Sequence, residues 1–236
     1  MKAILITLLA GLSFLVGYII TKFVKNDKKL IIFSVGFSFT IIIGLICLDL
    51  LPECLELVKP KWSIIGFSAS GLLILKILDA YVPDHEHTSP HNHHMEHIGL
   101  ISAIALILHN LIEGTAIYSA ALTDTKMGLM MALAVSFHNI PLGIQISSLI
   151  KNKKEKFILL LGLVLSSVIG VILLNVFKIT LDSGVLGILI ALTLGMLVYI
   201  SVFELFCEIK ENIKNKILWI GMVLGVVLIV ASTFLG

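Results

Sequence analysis

Apolar stretches recur along this chain, each about twenty residues long, and a stretch of that length is enough to cross the hydrocarbon core of a bilayer as a helix. In lipid there is no water to satisfy peptide N–H and C=O groups, so such a stretch must bond internally and is committed to helix. This one feature excludes soluble and open-sheet folds before any residue is weighed singly. Composition agrees: 58% of residues are hydrophobic, 14% are charged, and the mean hydropathy is +1.08. The runs predict an all-α polytopic membrane protein with eight transmembrane helices in a single domain over 1–236. The spans cover about 2–23, 30–51, 62–81, 98–122, 126–150, 157–177, 184–206 and 216–235. The first run starts with Lys2 and imitates a signal peptide. It is longer than a signal core and no small-x-small cleavage site follows the run before Lys22, so it reads as a retained helix.

Two near-copies of one pattern interrupt the apolar runs. Span 4 carries His109-Asn110-Leu111-Ile112-Glu113-Gly114, and span 5 carries His138-Asn139-Ile140-Pro141-Leu142-Gly143. An ionisable side chain at membrane depth costs roughly 2.5–3.5 kcal/mol on insertion scales, so it marks a cavity or a partner. His109 and Glu113 share a helix face at i, i+4. Neutral imidazole plus carboxylate suits a divalent transition metal, and Asn110 and Asn139 add carbonyl oxygens close by. Pro141 has no N–H to give the carbonyl of Phe137, which frees an oxygen beside His138. Thr123 to Thr125 form so short a turn that spans 4 and 5 are antiparallel neighbours. Each histidine then lies roughly 18 Å from that turn, so both pairs arrive at one depth.

Carboxylates also recur at span ends. Asp49 and Glu53 close span 2, and Glu204 and Glu208 close span 7. The first pair reads either as solvated helix-end charge or as a metal-attracting vestibule. Between spans 3 and 4, residues 84–97 hold six of the eight histidines. The tract reads as a flexible metal-collecting loop without fixed secondary structure. Asp79 and Lys76 in span 3 read as ordinary helix-end and snorkelling residues.

The net charge of +2 is small and argues against nucleic acid as a partner. Every basic residue is lysine, which removes the side chain best suited to clamp organic anions. Cys47, Cys54 and Cys207 form no CxxC pair, so neither a disulfide framework nor a zinc knuckle is indicated. Lysines crowd the loops after spans 1, 5 and 7 and are fewer on the other side. The positive-inside rule therefore puts both termini outside and the histidine tract in the cytoplasm.

Over nearly its whole length the chain resembles the ZIP (Zrt-/Irt-like) family of divalent metal transporters, in particular the short prokaryotic type. The resemblance rests on the two paired motifs, on Asp49-Leu50-Leu51-Pro52-Glu53, on Gly195, Tyr199 and Glu204, and on the histidine tract. It implies a 3+2+3 helix arrangement with the metal site between helices 4 and 5. It also implies movement of zinc, iron or manganese into the cytoplasm across a bacterial or archaeal plasma membrane, with zinc foremost. It makes His109, Asn110, Glu113, His138 and Asn139 the metal ligands. Two positions depart from the pattern. Leu142 stands four residues after His138 and Ser167 stands three before Gly170, where relatives often have glutamate. Glu113 is then the only carboxylate of the central site, and a single metal is expected.

No G-x-x-x-x-G-K-[ST] stretch is present, so an ion gradient or the metal gradient drives any transport. Three alternatives compete with less support. An intramembrane zinc hydrolase would need a second deep carboxylate as base. A metal sensor or an inactive relative without transport would bind metal but pass no flux. The protein is expected not to be an enzyme and to hold no cofactor beyond the metal it carries. Its partners are expected to be the metal and the bilayer, and small-residue faces on spans 2, 3 and 8 permit a homodimer.

Overall fold

The computed structural model describes residues 1–81, 90–177 and 182–234. All of its regular elements are helical. They are α1 (Lys2–Lys22), α2 (Asp27–Leu57), α3 (Ser63–Tyr81), α4 (Pro90–Thr123), α5 (Thr125–Leu149), α6 (Lys153–Phe177), α7 (Ser183–Asn212) and α8 (Lys216–Thr233). Seven are long and apolar enough to span a bilayer; α8 is a shorter apolar helix packed along α2. Short polar linkers start the helices in a uniform way. Asn26, Asp124, Asp182 and Asn215 each accept a hydrogen bond from a backbone N–H of the turn they begin, at 2.8–3.0 Å. Such caps satisfy N–H groups that the first turn leaves without a partner.

Helices that are apolar all round cannot be ranked by their hydrophobic faces, and here glycine decides how they meet. The contacts are reciprocal. Gly17 faces the Ile140 carbonyl and Gly143 the Phe14 carbonyl, joining α1 to α5. Gly114 faces the Ser167 backbone and Gly170 the Leu111 carbonyl, joining α4 to α6. Gly36 and Gly221 do the same for α2 and α8, and Gly71 and Gly195 for α3 and α7. Small residues allow such close backbone approach, which supplies dispersion contact where lipid offers no hydrophobic drive. The helices thereby sort into two groups: α1, α4, α5 and α6 in one, α2, α3, α7 and α8 in the other. Among the described residues no close glycine contact crosses from one group to the other. The seam carries hydroxyl contacts instead. Ser34 Oγ lies 2.7 Å from Ser148 Oγ, and Ser38 Oγ donates to the Pro141 carbonyl at 3.4 Å.

The expected span limits change in three places. Span 2 does not stop before Pro52 but runs on to Leu57. The π-helical turn Ile46–Leu50 precedes Pro52, and the N–H of Leu51 reaches back to the Ile46 carbonyl. The wider turn accommodates a proline that has no N–H to give. Span 7 likewise continues to Asn212 through a second π turn, Ile200–Leu205. Span 4 begins at Pro90 rather than near Ile98, because proline is favoured in a first helical turn. The end of the histidine tract is therefore helix and not loop. Residues 84–89 of that tract, and the side chains of 90–93, lie outside the described residues.

The small-residue faces expected to leave room for a homodimer are used within the chain, since Gly36, Gly44, Gly71, Gly221 and Gly225 all meet other helices of the same molecule. Gly66 on α3 is the exception, with open space where a Cβ would stand.

Candidate metal centre

α4 and α5 run antiparallel and bring the two motifs to one depth, as the short turn requires. The His109 and His138 ring centroids are 6.3 Å apart. Glu113 Oε1 lies 3.1 Å from His138 Nε2 and 3.6 Å from His109 Nε2. The three side chains are at most 10% exposed. One ligand atom from each lies within 4.8 Å of the other two. Around a single zinc ion with bonds near 2.0–2.2 Å, neighbouring ligand atoms sit roughly 3.3 Å apart. Two of the observed separations straddle that value. Neither imidazole Nε2 has a hydrogen-bond partner among the described residues despite its distance to the carboxylate. Buried polar atoms are seldom left so; two such nitrogens converging on one carboxylate suit a cation between them.

The asparagines flank this cluster. Asn139 is buried, and its Nδ2 donates to the Ala10 carbonyl of α1 at 3.1 Å, which leaves Oδ1 without a partner. Asn110 is buried with both amide atoms unpartnered. The two departures from the family pattern also have structural places. Leu142 is fully buried in the main apolar core. Ser167 presses its backbone on Gly114, and its Oγ donates to the Thr7 carbonyl at 3.4 Å.

A cavity of about 470 Å³ reaches the cluster and is lined by His109, Glu113 and His138. Asp49 and Glu53 of α2 line the same space. The cavity continues to Met127 and Leu48, which are 58% and 50% exposed. Its far walls come from Leu186, Ile190 and Thr193 on α7. The three candidate ligands thus belong to one helix group and the two mouth carboxylates to the other.

At the opposite end of the bundle the structure closes with contacts that the sequence did not announce. His97 Nε2 lies 2.6 Å from Asp79 Oδ1, and Tyr199 Oη donates to Asp79 Oδ2 at 2.7 Å. His94 Nε2 lies 3.4 Å from Glu208, which is itself buried. These partners explain why the end of the histidine tract is ordered as helix. The only sequence cue was ionisable residues at the ends of three apolar runs. Replacing Tyr199 by phenylalanine removes one neutral-to-carboxylate hydrogen bond. It is expected to cost about 1–2 kcal/mol, read as a fall in thermal unfolding temperature of roughly 2–8 °C.

Fold and site together define an all-helical integral membrane protein with a buried two-histidine, one-glutamate cluster at the end of a cavity. The model of the ZIP zinc transporter family matches residues 80–233. The zinc transporter ZupT of Chlorobium luteolum is 30% identical over an alignment that covers 99% of this chain and 97% of that protein. The zinc transporters ZupT of Streptococcus mutans serotype c and Clostridium perfringens are each 27% identical. Those alignments cover 99% and 100% of this chain, and 97% and 96% of the relatives. The chain belongs to the ZIP zinc transporter family, a family of transporters rather than of enzymes.

Proposed function

We propose that this protein carries divalent transition metal ions across the plasma membrane into the cytoplasm, zinc first and iron or manganese less readily. The observation that carries this reading is the convergence of His109, Glu113 and His138 at the end of a cavity whose mouth bears Asp49 and Glu53. Two imidazoles favour zinc over harder cations. With Leu142 and Ser167 in place of carboxylates, we assign one metal per chain, held by these three side chains and by the amide oxygens of Asn110 and Asn139.

The seam between the helix groups supports alternating access. Sliding the α1–α4–α5–α6 group against the other would carry the site past Asp49 and Glu53 while leaving each glycine-locked pair intact. Lysine asymmetry supports termini outside and the histidine tract in the cytoplasm, within a single domain over 1–236. We place homodimer contact on the outer face of α3 around Gly66, a contact that cross-linking of Gly66→Cys would report.

The test is rescue of a bacterium that lacks its own zinc importers. Expression should restore growth at limiting zinc, and deletion of 84–93 should alter the zinc dependence while leaving rescue in place. Failure of the full chain to rescue, with one zinc still bound per purified molecule, would favour the sensor reading that the two missing carboxylates support. Loss of rescue on loop deletion alone would mean that the central cluster is not the principal transport site.

A further inference from the structure

At the end of the bundle opposite Asp49, α1, α2, α5 and α6 enclose a second cavity, of about 550 Å³. Lys22, Lys151, Lys153 and Lys156 line it, against a single carboxylate, Asp27. Among the described residues none of these lysines forms an ion pair; Lys22 Nζ instead sits 4.5 Å over the Tyr18 ring. Lysines at membrane ends commonly snorkel apart towards water. Here four line one space with Asp27 as the one carboxylate in its wall, and that excess of like charge raises the energy of the site.

A buried hydroxyl lies in the same wall. Ser147 lines this cavity, is 2% exposed, and has no hydrogen-bond partner for its Oγ. Its neighbours Ser148 and Thr21, also in the wall, are already bonded to backbone carbonyls. The site therefore offers one unused buried donor and several ammonium groups.

The remainder of the wall is apolar, formed by Leu15, Leu160 and Val164, and it opens past Phe157 and Leu161. Phe157, Leu161 and Leu165 stand at i, i+4 and i+8 on α6 and are 66%, 44% and 38% exposed. They form a lipid-facing stripe running from the lysines towards the membrane centre. Basic pockets between spanning helices at a membrane surface suit anionic head groups.

We propose that this cavity is a binding site for an anionic phospholipid, its phosphate among the four lysines and Ser147 and its acyl chains along the α6 stripe. A free inorganic anion would leave the apolar wall and the stripe unused, and a metal cation would be repelled. The lipid would tie the ends of α1, α5 and α6 together, three of the four helices in the group that bears the candidate metal ligands. This inference does not depend on the transport reading.

The test is thermal unfolding and native mass spectrometry of the full chain titrated with phosphatidylglycerol or phosphatidylcholine. Wild type should bind and be stabilised by phosphatidylglycerol in preference. Combined Lys151→Gln, Lys153→Gln and Lys156→Gln should weaken that response at least about tenfold. Combined Lys25→Gln, Lys29→Gln and Lys214→Gln removes equal charge from the same end outside the cavity and should leave the response intact. Ser147→Ala, a milder change, should weaken it by a smaller factor. The proposal is overturned if both lysine sets weaken binding equally, if neither does, or if inorganic phosphate stabilises wild type as well as the lipid does.

Discussion

Joining Ser34 to Ser148 by a disulfide is expected to reduce metal flux to background. The two hydroxyl oxygens are 2.7 Å apart across the seam, Ser34 on α2 and Ser148 on α5. Cysteines at these positions can close a bond of about 2 Å with little backbone movement. The contact lies at the lysine-rich end of the bundle, away from the mouth formed by Asp49 and Glu53. A bond there holds the two helix groups in the arrangement seen, with the cluster facing its present cavity. The experiment uses Ser34→Cys with Ser148→Cys where exposed Cys47 and Cys207 are replaced by serine and buried Cys54 is kept. Oxidation should stop flux, reductant should restore it, and each single cysteine variant should transport throughout. An oxidised double variant that carries metal at the unmodified rate would show that the groups need not move, and a fixed pore would replace alternating access.

Gly143→Val is expected to lower stability sharply. A Cβ at Gly143 runs into the Phe14 carbonyl oxygen, with the Phe14 Cα at 3.0 Å. Backbone cannot step aside as a flexible side chain can, so α1 must move away from α5. The hydrogen bond from Asn139 to the Ala10 carbonyl belongs to the same interface and would be strained with it. Overpacking of this kind costs about 3 kcal/mol, or a fall of roughly 6–12 °C in unfolding temperature for a chain of this size. Metal affinity should fall as well, since Asn139 is placed through α1. Gly66→Val is the matched control. It adds the same atoms where nothing of the same chain lies within 4 Å and should leave the unfolding temperature of the isolated monomer nearly unchanged.

These two variants mark where the sequence was legible and where it was not. The spans could be read because a twenty-residue apolar run has few options in lipid. The central cluster could be read because His109, Glu113 and His138 are costly at that depth, and because a turn of a few residues fixes α4 beside α5. The partners of the other helices could not be read that way. Runs such as Gly184 to Phe206 are apolar on every side, so periodicity does not say which face meets which neighbour. Glycines on spans 2, 3 and 8 looked free for another copy of the chain, yet most are used against α8, α7 and α2. The Asp79 contacts were hidden for a related reason. His97 closes the histidine tract and Tyr199 lies far along the chain, and only the fold brings them to one carboxylate. Span 2 reads from its apolar run as ending near Leu51, just before Pro52; the π turn ahead of that proline lets the helix run on.

The central question is whether the buried cluster is the place where the cargo metal sits during transport. The most direct measurement is zinc influx into proteoliposomes, with wild type and Glu113→Gln compared side by side and bound zinc counted on the same preparations. Glutamine keeps the shape and removes the only carboxylate of the cluster. Wild type should show saturable influx and about one tightly held zinc per chain besides any on the histidine tract, while the variant, equally inserted, should lose at least about a hundredfold in affinity at that site and nearly all flux. Undiminished influx in Glu113→Gln would contradict the account and place the transport site elsewhere in the molecule.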